Sequence, residues 1–310
     1  MKAVALFSGG LDSLLAIKLI QNQGIEVVPV TFKCYFFSSE KAERYGSLYG
    51  LDIHVIDFSD EHLNVVKNPV YGYGKNINPC IDCHALMIKK AGKYMEEVGG
   101  RFLITGEVLG ERPFSQSIEG LKKVDKLTGL GDITLRPLSA KLLPPTLPER
   151  EGWVDRDKLL GIRGRSRKTQ LKLAEDFGIK VYDTPAGGCI LTDVQFARRI
   201  KPFIHEIEPE EILLFRIGRH FRFGEMHLVI ARNQFENEQL KNFGKNLISA
   251  PDKKGPIGVL RKWGGEEDII RAARIIARYC KPYGETKVVF DGKEYTVQPF
   301  TFQEAEKFLI

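Results

Sequence analysis

The sequence predicts an α/β protein with a first domain built on a parallel sheet and a second, smaller domain of the α+β class. Strand-like apolar runs alternate with helical patterns over the first part of the chain, which is typical of a parallel sheet covered by helices on both faces. A proline-rich segment at 141–148 interrupts this alternation, and the rhythm changes after Pro202. The length of 310 residues is enough for about two domains. We therefore predict one domain over residues 1–203 and another over residues 204–310.

The predicted elements follow one another in a regular order. In the first domain we predict strands at 4–7, 26–32, 53–58, 101–105 and 180–182, and helices at 11–21, 40–49, 83–98 and 166–177. In the second domain we predict a strand near 227–231, a helix near 266–279 and a hairpin at 287–298. Ligands of parallel sheets bind at the carboxyl ends of the strands. We therefore expect one shared site bordered by the residues that follow such strands, which are Ser8, Cys34, Gly106 and Glu107.

The composition and the start of the chain bear on where the protein works. The first predicted strand begins directly after Met1 and Lys2, and no apolar run approaches the length of a membrane span. We therefore expect a cytoplasmic protein without a membrane partner. The chain has five cysteines, and this odd number indicates reduced thiols used for chemistry or metal binding rather than a disulfide framework. The sequence does not indicate an oligomeric state.

Basic side chains are concentrated between Arg112 and Lys172, where their excess over acidic side chains is larger than the formal net charge of +6 of the whole chain. Such a stretch is either a solvated surface or a patch that neutralises the phosphates of a nucleic acid. The candidates for contacts with RNA are Arg163, Arg165, Arg167 and Lys168.

Residues 8–13, with the sequence Ser-Gly-Gly-Leu-Asp-Ser, join the first predicted strand to the first predicted helix. The two glycines let the backbone approach an anion, and the serine hydroxyls and the amide groups of the helix N-terminus point toward it. No lysine stands in this loop to hold a terminal phosphate as in kinases and GTPases, which argues against γ-phosphoryl transfer. The loop therefore favours a pyrophosphate site over the alternative of an ordinary glycine turn.

This loop resembles the signature Ser-Gly-Gly-x-Asp-Ser of the PP-loop (N-type ATP pyrophosphatase) family at every position. Members of that family cleave ATP between the α and β phosphates and transfer AMP to a carbonyl or amide oxygen. The resemblance implies ATP and Mg²⁺ as cofactors, with Asp12 helping to hold magnesium pyrophosphate. The nucleotide contacts that we expect come from Ser8, Gly9, Gly10, Asp12, Ser13, Thr31, Phe32 and Gly106.

Three further cysteines form a candidate sulfur or metal site. Cys80 and Cys83 follow Asn-Pro at the predicted start of a helix, whose dipole lowers the pKa of a thiol and so suits a nucleophile or a soft-metal ligand. Cys189 follows a Gly-Gly turn at 187–188. Three thiols are short of a closed zinc site, but they suffice for a 4Fe-4S cluster with one open iron. We expect Cys34 and Cys280 to be ordinary packed thiols.

Three chemistries at these thiols stay open. The first is a 4Fe-4S cluster held by Cys80, Cys83 and Cys189, with a sulfide at its open iron. The second is a persulfide on one cysteine, resolved as a disulfide by another. The third is a Zn²⁺ site completed by Asp82 or His84. We favour them in that order.

A PP-loop followed by Asn-Pro-Cys-x-x-Cys and by a later single cysteine is similar to the tRNA thiouridine synthetases, both the 4-thiouridine and the 2-thiouridylase catalytic domains. Residues 105–110, with Ser115 and Gln116 further on, resemble the Gly-Glu-Ser-Leu-Gly stretch of the 4-thiouridine synthetases. The likeness covers about the first 200 residues. It implies tRNA as the substrate, sulfide or a cysteine desulfurase as the sulfur donor, and catalytic roles for Asp12, Cys80, Cys83 and Cys189.

The chain departs from that family in what surrounds the catalytic domain. We expect no RNA-binding module before Met1 and no rhodanese-type domain after the last residue, so RNA capture falls to the basic stretch, to the C-terminal domain, or to both. Residues 219–224 and the turn at 253–256 faintly resemble RNA-binding domains appended to bacterial ribosome-rescue proteins. The second domain is therefore a candidate RNA-binding domain.

The favoured interpretation is an ATP-dependent sulfurtransferase. It would adenylate a uridine carbonyl, release pyrophosphate, and replace the AMP by sulfur. Two other classes stay open. One is a PP-loop enzyme that amidates or ligates a small carboxylate, with zinc at the cysteines as a structural element. The other is a nucleotide-binding RNA adaptor without catalysis. The modified uridine and the sulfur donor are not identified by the sequence.

Overall fold

The computed structural model describes residues 1–183 and 189–310. The chain forms two compact units, residues 1–197 and 198–310, with the division slightly before the predicted domain boundary. The first unit contains a parallel sheet with helices, and the second contains an antiparallel sheet with helices. The predicted fold class is therefore confirmed. Among the described residues, each helix is too short or too polar to cross a membrane.

The first unit alternates strands and helices as predicted. Its strands are β1 (Lys2–Leu6), β2 (Glu26–Lys33), β3 (His54–Asp57), β4 (Phe102–Ile104) and β5 (Thr134–Leu135). Its helices are α1 (Leu11–Gln21), α2 (Glu40–Leu48), α3 (Ser59–Lys67), α4 (Cys80–Glu97), α5 (Ile118–Thr128), α6 (Leu147–Arg150), α7 (Lys168–Asp176) and α8 (Val194–Ile200), the last crossing the division between the units. Short 3-10 helices lie at Gly131–Ile133, Ala140–Leu142, Arg156–Lys158 and Ile190–Thr192.

The sheet of the first unit has the order β3-β2-β1-β4-β5, and every pairing in it is parallel. β1 is central, with Val4 paired to Val28 of β2 and to Leu103 of β4. The centre of β1 is buried and apolar because helices cover both faces of a parallel sheet. The carboxyl ends of β1, β2 and β4 consequently lie side by side, and the segments that follow them meet at one edge.

Two apolar cores enclose this sheet. One packs α1 against one face through Leu15, Ile17 and Ile20, together with Phe102 from the sheet. The other packs α4 on the opposite face and includes Cys83 and the partly buried Cys34. Burial of these side chains provides most of the stabilisation of such a layered fold.

One predicted strand of the first unit is wrong. Residues 180–182 form no strand, because Val181 bonds to a side chain instead of to a neighbouring strand. Its amide donates to the Tyr49 hydroxyl (N to Oη 3.1 Å), and its carbonyl accepts from the same hydroxyl (2.5 Å). The predicted Pro-Ala-Gly-Gly turn at 185–188 lies outside the described residues.

The second unit forms an antiparallel sheet in the order β11-β10-β8-β9-β7-β6. Its strands are β6 (Arg219–Phe223), β7 (Met226–Ile230), β8 (Leu247–Ser249), β9 (Gly258–Lys262), β10 (Thr286–Phe290) and β11 (Lys293–Val297). Its helices are α9 (Gln234–Phe243), α10 (Glu266–Arg278) and α11 (Phe302–Glu306), preceded by 3-10 helices at Lys201–Phe203 and Pro209–Arg216. The predicted strand near 227–231, the helix near 266–279 and the hairpin at 287–298 are confirmed as β7, α10 and β10–β11.

Candidate active site at the carboxyl edge of the parallel sheet

The phosphate loop, residues 8–13, turns directly from β1 into α1 and is held by its own hydrogen bonds. Ser13 Oγ donates to the carbonyl of Gly10 at 2.9 Å, and the amide of Ser8 donates to Ser13 Oγ at 3.3 Å. Gly10 is the N-cap of α1 and has extended backbone. The loop is thus already shaped around the N-terminus of a helix, where the dipole favours an anion.

Two glycines of the predicted nucleotide site are required by close packing. Gly9 has φ +71°, and a Cβ there would lie 2.8 Å from the carbonyl oxygen of Lys41. A Cβ on Gly106 would lie 2.5 Å from the amide nitrogen of Ser13. The segment that follows β4 therefore packs directly on the phosphate loop, and larger residues at either position would push the two apart.

Asp12, on the first turn of α1, has the environment of a metal-binding carboxylate. Burial raises the pKa of Asp12, while nearby Arg167, Gln170 and Arg112 oppose the rise. Arg167 Nη2 lies 3.9 Å from Asp12 Oδ2. Asp12 Oδ1 is buried and finds no hydrogen-bond partner in the described part of the chain. An orphaned carboxylate oxygen beside a phosphate loop fits a Mg²⁺ ligand, because Mg²⁺ binds one or two carboxylates together with substrate phosphates.

One thiol, that of Cys80, shares a charged neighbour with this loop. Burial raises the pKa of Cys80, and hydrogen bonding from Asn78 and the charge of Arg112 oppose the rise. The same Arg112 acts on Asp12, so a single guanidinium is close to both the loop carboxylate and the first thiol. Asn78 Nδ2 donates to Cys80 Sγ at 3.1 Å.

Four thiols, one more than predicted, surround the first turn of α4. Burial raises the pKa of Cys83 well above its usual value, and the neighbouring Cys189, Cys34 and Cys80 raise it further. Cys189, Cys34 and Cys80 each lie near enough to Cys83 to act on its charge. Cys34 packs against the apolar core, as expected, and it also lies near Cys83.

Local pairing brings Cys34 and Cys189 to this place. Cys34 ends the extended chain of β2 and pairs with Phe37, with its amide 2.9 Å from the Phe37 carbonyl oxygen. The amide of Ile190, directly after Cys189, donates to the carbonyl of Phe36 at 3.4 Å. This contact arises from the tertiary fold and could not be predicted from the sequence. The one sequence signal for Cys34 as a site residue is its position at the end of a predicted strand.

Comparisons with known proteins agree with this geometry. Residues 1–141 match the protein-family model described as "Thiamine biosynthesis protein (ThiI)". A "Probable tRNA sulfurtransferase" of Thermococcus kodakarensis is 28% identical over 134 residues, which cover 42% of this chain and 35% of that relative. A "tRNA-specific 2-thiouridylase MnmA" of Xanthobacter autotrophicus is 25% identical over 260 residues, covering 75% of this chain and 62% of that relative. The first unit is thus similar to the PP-loop tRNA thiouridine synthetases.

The remaining comparisons concern the share of each relative that this chain covers and the second unit. The chain spans about a third of the first relative's length and less than two thirds of the second's. Residues 218–309 match the model described as "NFACT protein RNA binding domain". A solved structure described as a predicted subunit of a tRNA methyltransferase from Methanocaldococcus jannaschii aligns at a TM-score of 0.36 and 18% identity, over 68% of this chain and 91% of that chain. This last likeness is too low to support a conclusion.

Of the two side chains that were considered as additional zinc ligands of the PP-loop unit, Asp82 is engaged by backbone amides and His84 bonds to a carboxylate through one ring nitrogen. The carboxylate of Asp82 accepts from the amides of Val70 (2.7 Å) and Tyr71 (3.1 Å) and so fixes the preceding loop. His84 Nδ1 lies 3.0 Å from Glu107 Oε1. Within residues 1–183 and 189–310, no three Cys, His, Asp or Glu side chains stand close enough together to hold a metal ion.

A buried ion-pair network stabilises the segment that follows β4 in the PP-loop unit. Glu107 Oε2 accepts from Arg136 Nε at 2.9 Å, and Arg136 Nη2 donates to Asp125 Oδ1 at 2.8 Å. Burial alone would raise the pKa of Glu107, but the charge of Arg136 and the contact with His84 outweigh it and lower this pKa to about 2. The network fixes the segment after β4 and, through Glu107, the His84 ring on α4.

Replacing Glu107 by Gln is expected to lower the free energy of unfolding at neutral pH, with a loss that shrinks in acid. The depressed pKa means that ionised Glu107 stabilises the fold above its ordinary pKa of 4.5, and this contribution disappears as the pH falls toward about 2. Arg136 keeps Asp125 as a partner, so the variant should still fold. Urea unfolding of both proteins from neutral pH down to about pH 3 measures the difference. A difference that stays constant over this range would contradict the assignment.

The predicted RNA-binding arginines do not all lie together. Arg167 faces Asp12 at the phosphate loop, whereas Arg163, Arg165 and Lys168 are exposed. The segment containing Arg163 is fixed to the loop after β4, since the amide of Gly164 donates to the carbonyl of Leu109 at 2.7 Å. Arg167 therefore lies beside the phosphate loop, and the other three lie on the surface.

Thr31 and Phe32, the predicted adenine contacts, are buried in β2. The ring of Phe32 packs against Phe58 with the ring centroids 5.2 Å apart, and Thr31 pairs with Val55 of β3. A side-chain contact with adenine is therefore not available from Phe32. Contacts with a base at this strand would come from the backbone.

Proposed function

We propose that this chain is an ATP-dependent tRNA thiouridine synthetase that forms AMP and pyrophosphate. The observation that carries the proposal is the closeness of Arg112 to both Asp12 and Cys80, since an adenylating centre and a sulfur-bearing centre must act on the same base. The similarity of the first unit to tRNA sulfurtransferases and 2-thiouridylases supports the same activity. In this proposal residues 1–203 form the catalytic domain and residues 204–310 the RNA-binding domain.

In the first step, a uridine carbonyl oxygen attacks the α phosphorus of ATP. The new O–P bond forms as the bond from the α phosphorus to the bridging oxygen breaks, and pyrophosphate leaves with the electron pair. The amides of the phosphate loop and Asp12 with Mg²⁺ hold the departing pyrophosphate. The guanidinium groups of Arg112 and Arg167 stabilise the charge that develops on the phosphates.

In the second step, sulfur attacks the activated carbon and AMP departs with the electron pair of the C–O bond. The thiols of Cys80, Cys83, Cys189 and Cys34 are soft donors of the type that holds a 4Fe-4S cluster, but no three of them stand close enough together in the described residues to hold a metal ion. A cluster at this place would need these thiols to move closer together, and it would supply an iron that holds sulfide. The alternative needs no metal. A persulfide on one cysteine attacks, a second thiolate then displaces the sulfur onto the base, and the resulting disulfide is reduced by an external thiol.

The substrate and its delivery follow from this chemistry. The target base must leave its stack to reach both centres, as in other enzymes that act on nucleobases. We propose that Arg163, Arg165 and Lys168 contact the tRNA backbone beside the site, because they are exposed on a segment fixed to the loop after β4. Sulfide would supply the sulfur of a cluster, whereas a protein persulfide would receive sulfane sulfur from the persulfide of a cysteine desulfurase, because sulfide alone forms no persulfide without an oxidant. Since tRNA and ATP are found together in the cytoplasm, we propose that compartment for the reaction.

The decisive experiment is a thiolation assay with protein purified without oxygen. The protein, ATP, Mg²⁺, sulfide and unmodified tRNA are expected to yield AMP, pyrophosphate and a thiouridine detected by mass spectrometry of the digested nucleosides. AMP formation should depend on tRNA. ATP cleavage that is independent of tRNA and requires a small carboxylate would favour an amidating or ligating enzyme, and ATP binding without AMP formation would favour an adaptor. Either outcome would overturn the proposal.

A further inference from the structure

One face of α10 in the second unit carries arginines stacked on aromatic rings. Arg271, Arg274 and Arg278 are spaced by three and four residues and so share a helix face, opposite to the face that is buried in the core. Arg271 Cζ lies 4.5 Å from the ring centroid of Phe223, and Arg274 Cζ lies 3.9 Å from that of Phe300. Each of these two guanidinium groups thus contacts the aromatic ring of a residue outside α10.

Arg278 completes this row between two exposed rings. Its Cζ lies 5.3 Å from the ring centroid of Tyr283 and 5.7 Å from that of Phe302. Tyr283 is 57% exposed, Phe302 is 55% exposed and Phe223 is 43% exposed. All three exposed rings lie beside arginines of α10, which makes this face a candidate binding site. We call these three arginines and three exposed rings the α10 face.

The charges of the α10 face differ along its length. Arg271 is paired with Glu267 (2.9 Å) and Asp268 (2.8 Å), and Arg274 donates through Nε to the carbonyl of Gln298 at 3.0 Å. The Nε of Arg278 is buried and has no hydrogen-bond partner among the described residues. Arg278 is therefore the arginine of this face with an unpartnered Nε among the described residues, and it stands beside the two most exposed rings of the face.

Other cations of this unit are already committed to the fold. Lys253, in the turn whose sequence resembles RNA-binding domains, donates to the carbonyls of Pro282 (3.0 Å) and Glu285 (2.7 Å) and is a structural residue. Arg261 is buried and bonds to Glu211 through Nε at 2.9 Å. These contacts leave the α10 face as a place where cations and open aromatic rings occur together.

We propose that the α10 face binds unpaired nucleotides of the RNA substrate. Stacking on aromatic rings and guanidinium planes requires free base faces, which a duplex hides and a loop or single strand presents. The arginine charges complement the phosphates on either side. This inference rests on the proposed function in taking RNA as the ligand, and it adds the surface and the kind of RNA segment that it recognises.

The test is fluorescence anisotropy of the full chain, without ATP, using a labelled single-stranded RNA and the same sequence as a duplex. We expect the wild type to prefer the single strand. The double variant R278A/Y283A is expected to weaken single-strand binding about tenfold or more, with little change for the duplex. F302A removes another exposed ring and should also weaken single-strand binding. This variant serves as the test if R278A/Y283A folds poorly.

Two controls separate charge, stacking and fold. R278K keeps the charge and loses the planar group, so it should retain duplex binding while single-strand binding falls. Lys245 lies over the ring of Phe243 (5.6 Å) elsewhere on the unit, and K245A should bind the single strand like the wild type. Wild-type affinity in R278A/Y283A and F302A, or equal loss in K245A, would overturn the proposal. If the wild type thiolates tRNA and these variants bind RNA normally, only the role of the α10 face is rejected. If the variants lose RNA binding but the wild type does not thiolate tRNA, only the proposed function is rejected.

Discussion

Replacing Asp12 by Asn is expected to stop pyrophosphate release, with a loss of about a thousandfold or more in the rate of tRNA-dependent AMP formation. The Asp12 Oδ1 atom is buried beside the phosphate loop with no partner in residues 1–183 and 189–310, so a Mg²⁺ ion is the partner that fits it. An amide at this position cannot supply the negative charge that neutralises the metal. Release of labelled pyrophosphate in the presence of tRNA and ATP measures the effect.

The same substitution should leave the fold intact or make it slightly more stable. Because burial raises the pKa of Asp12, the ionised carboxylate opposes folding once the pH has risen above the ordinary value of 3.8. Removing that charge relieves the cost at neutral pH, and functional carboxylates commonly show this exchange of stability for activity. Asp57 is an exposed carboxylate at the end of β3, and Asp57→Asn is the matched control for activity. Full activity in Asp12→Asn, or a large fall in its unfolding midpoint, would contradict the assignment.

The sequence predicted those parts of the site that depend on neighbours in the chain. The strand, the glycine loop and helix α1 follow one another within about twenty residues, and α1 has the predicted bounds Leu11–Gln21. The start of α4 was predicted three residues too late, because Pro79 acts as its N-cap and places Cys80 inside the helix. This difference puts Cys80 and Cys83 on one turn.

The parts that the sequence could not predict depend on tertiary contacts. The approach of Cys34 to Cys83 needs β2 beside β1 and α4 packed over both, and the approach of Cys189 needs the contact between Ile190 and Phe36. The pattern of 180–182 suits a strand, but the Tyr49 hydroxyl takes its backbone hydrogen bonds. Likewise, Arg167 lies beside Asp12 because the segment before α7 packs on the phosphate loop. The sequence alone could not show whether Arg167 is a surface residue or a neighbour of the phosphate loop.

Replacing Cys80 by Ser is expected to separate the two chemical steps. Adenylation uses the phosphate loop, Asp12 and the arginines, so tRNA-dependent AMP formation should stay within about twofold of the wild type. Thiouridine formation should fall about a hundredfold or more, because the hydroxyl of serine neither carries sulfane sulfur nor binds iron well. Nucleoside mass spectrometry and pyrophosphate release, measured on the same samples, give the ratio of the two steps.

Cys280 provides the matched control, because it is a buried thiol of the second unit whose Sγ donates to the carbonyl of Ile276 at 3.3 Å. Cys280→Ser should keep both steps. If Cys80→Ser retains full thiolation, the proposed sulfur site is wrong. If it loses adenylation as well, the thiol instead supports the nucleotide site through Arg112.

Substitutions of Cys34 and Cys189 are expected to distinguish a cluster from a persulfide as the carrier of sulfur. If three cysteines hold a cluster, Cys34→Ser should keep the iron content and the absorbance at about 400 nm of anaerobic protein, whereas Cys189→Ser should lose both. If sulfur is carried as a persulfide, neither variant changes the iron content, and the disulfide found by mass spectrometry after one turnover identifies the resolving thiol. Cys34 and Cys189 both border Cys83, so each is a candidate for that disulfide. Thiolation that is unchanged in both variants would leave Cys80 and Cys83 as the whole sulfur site and would remove the need for the convergence of four thiols.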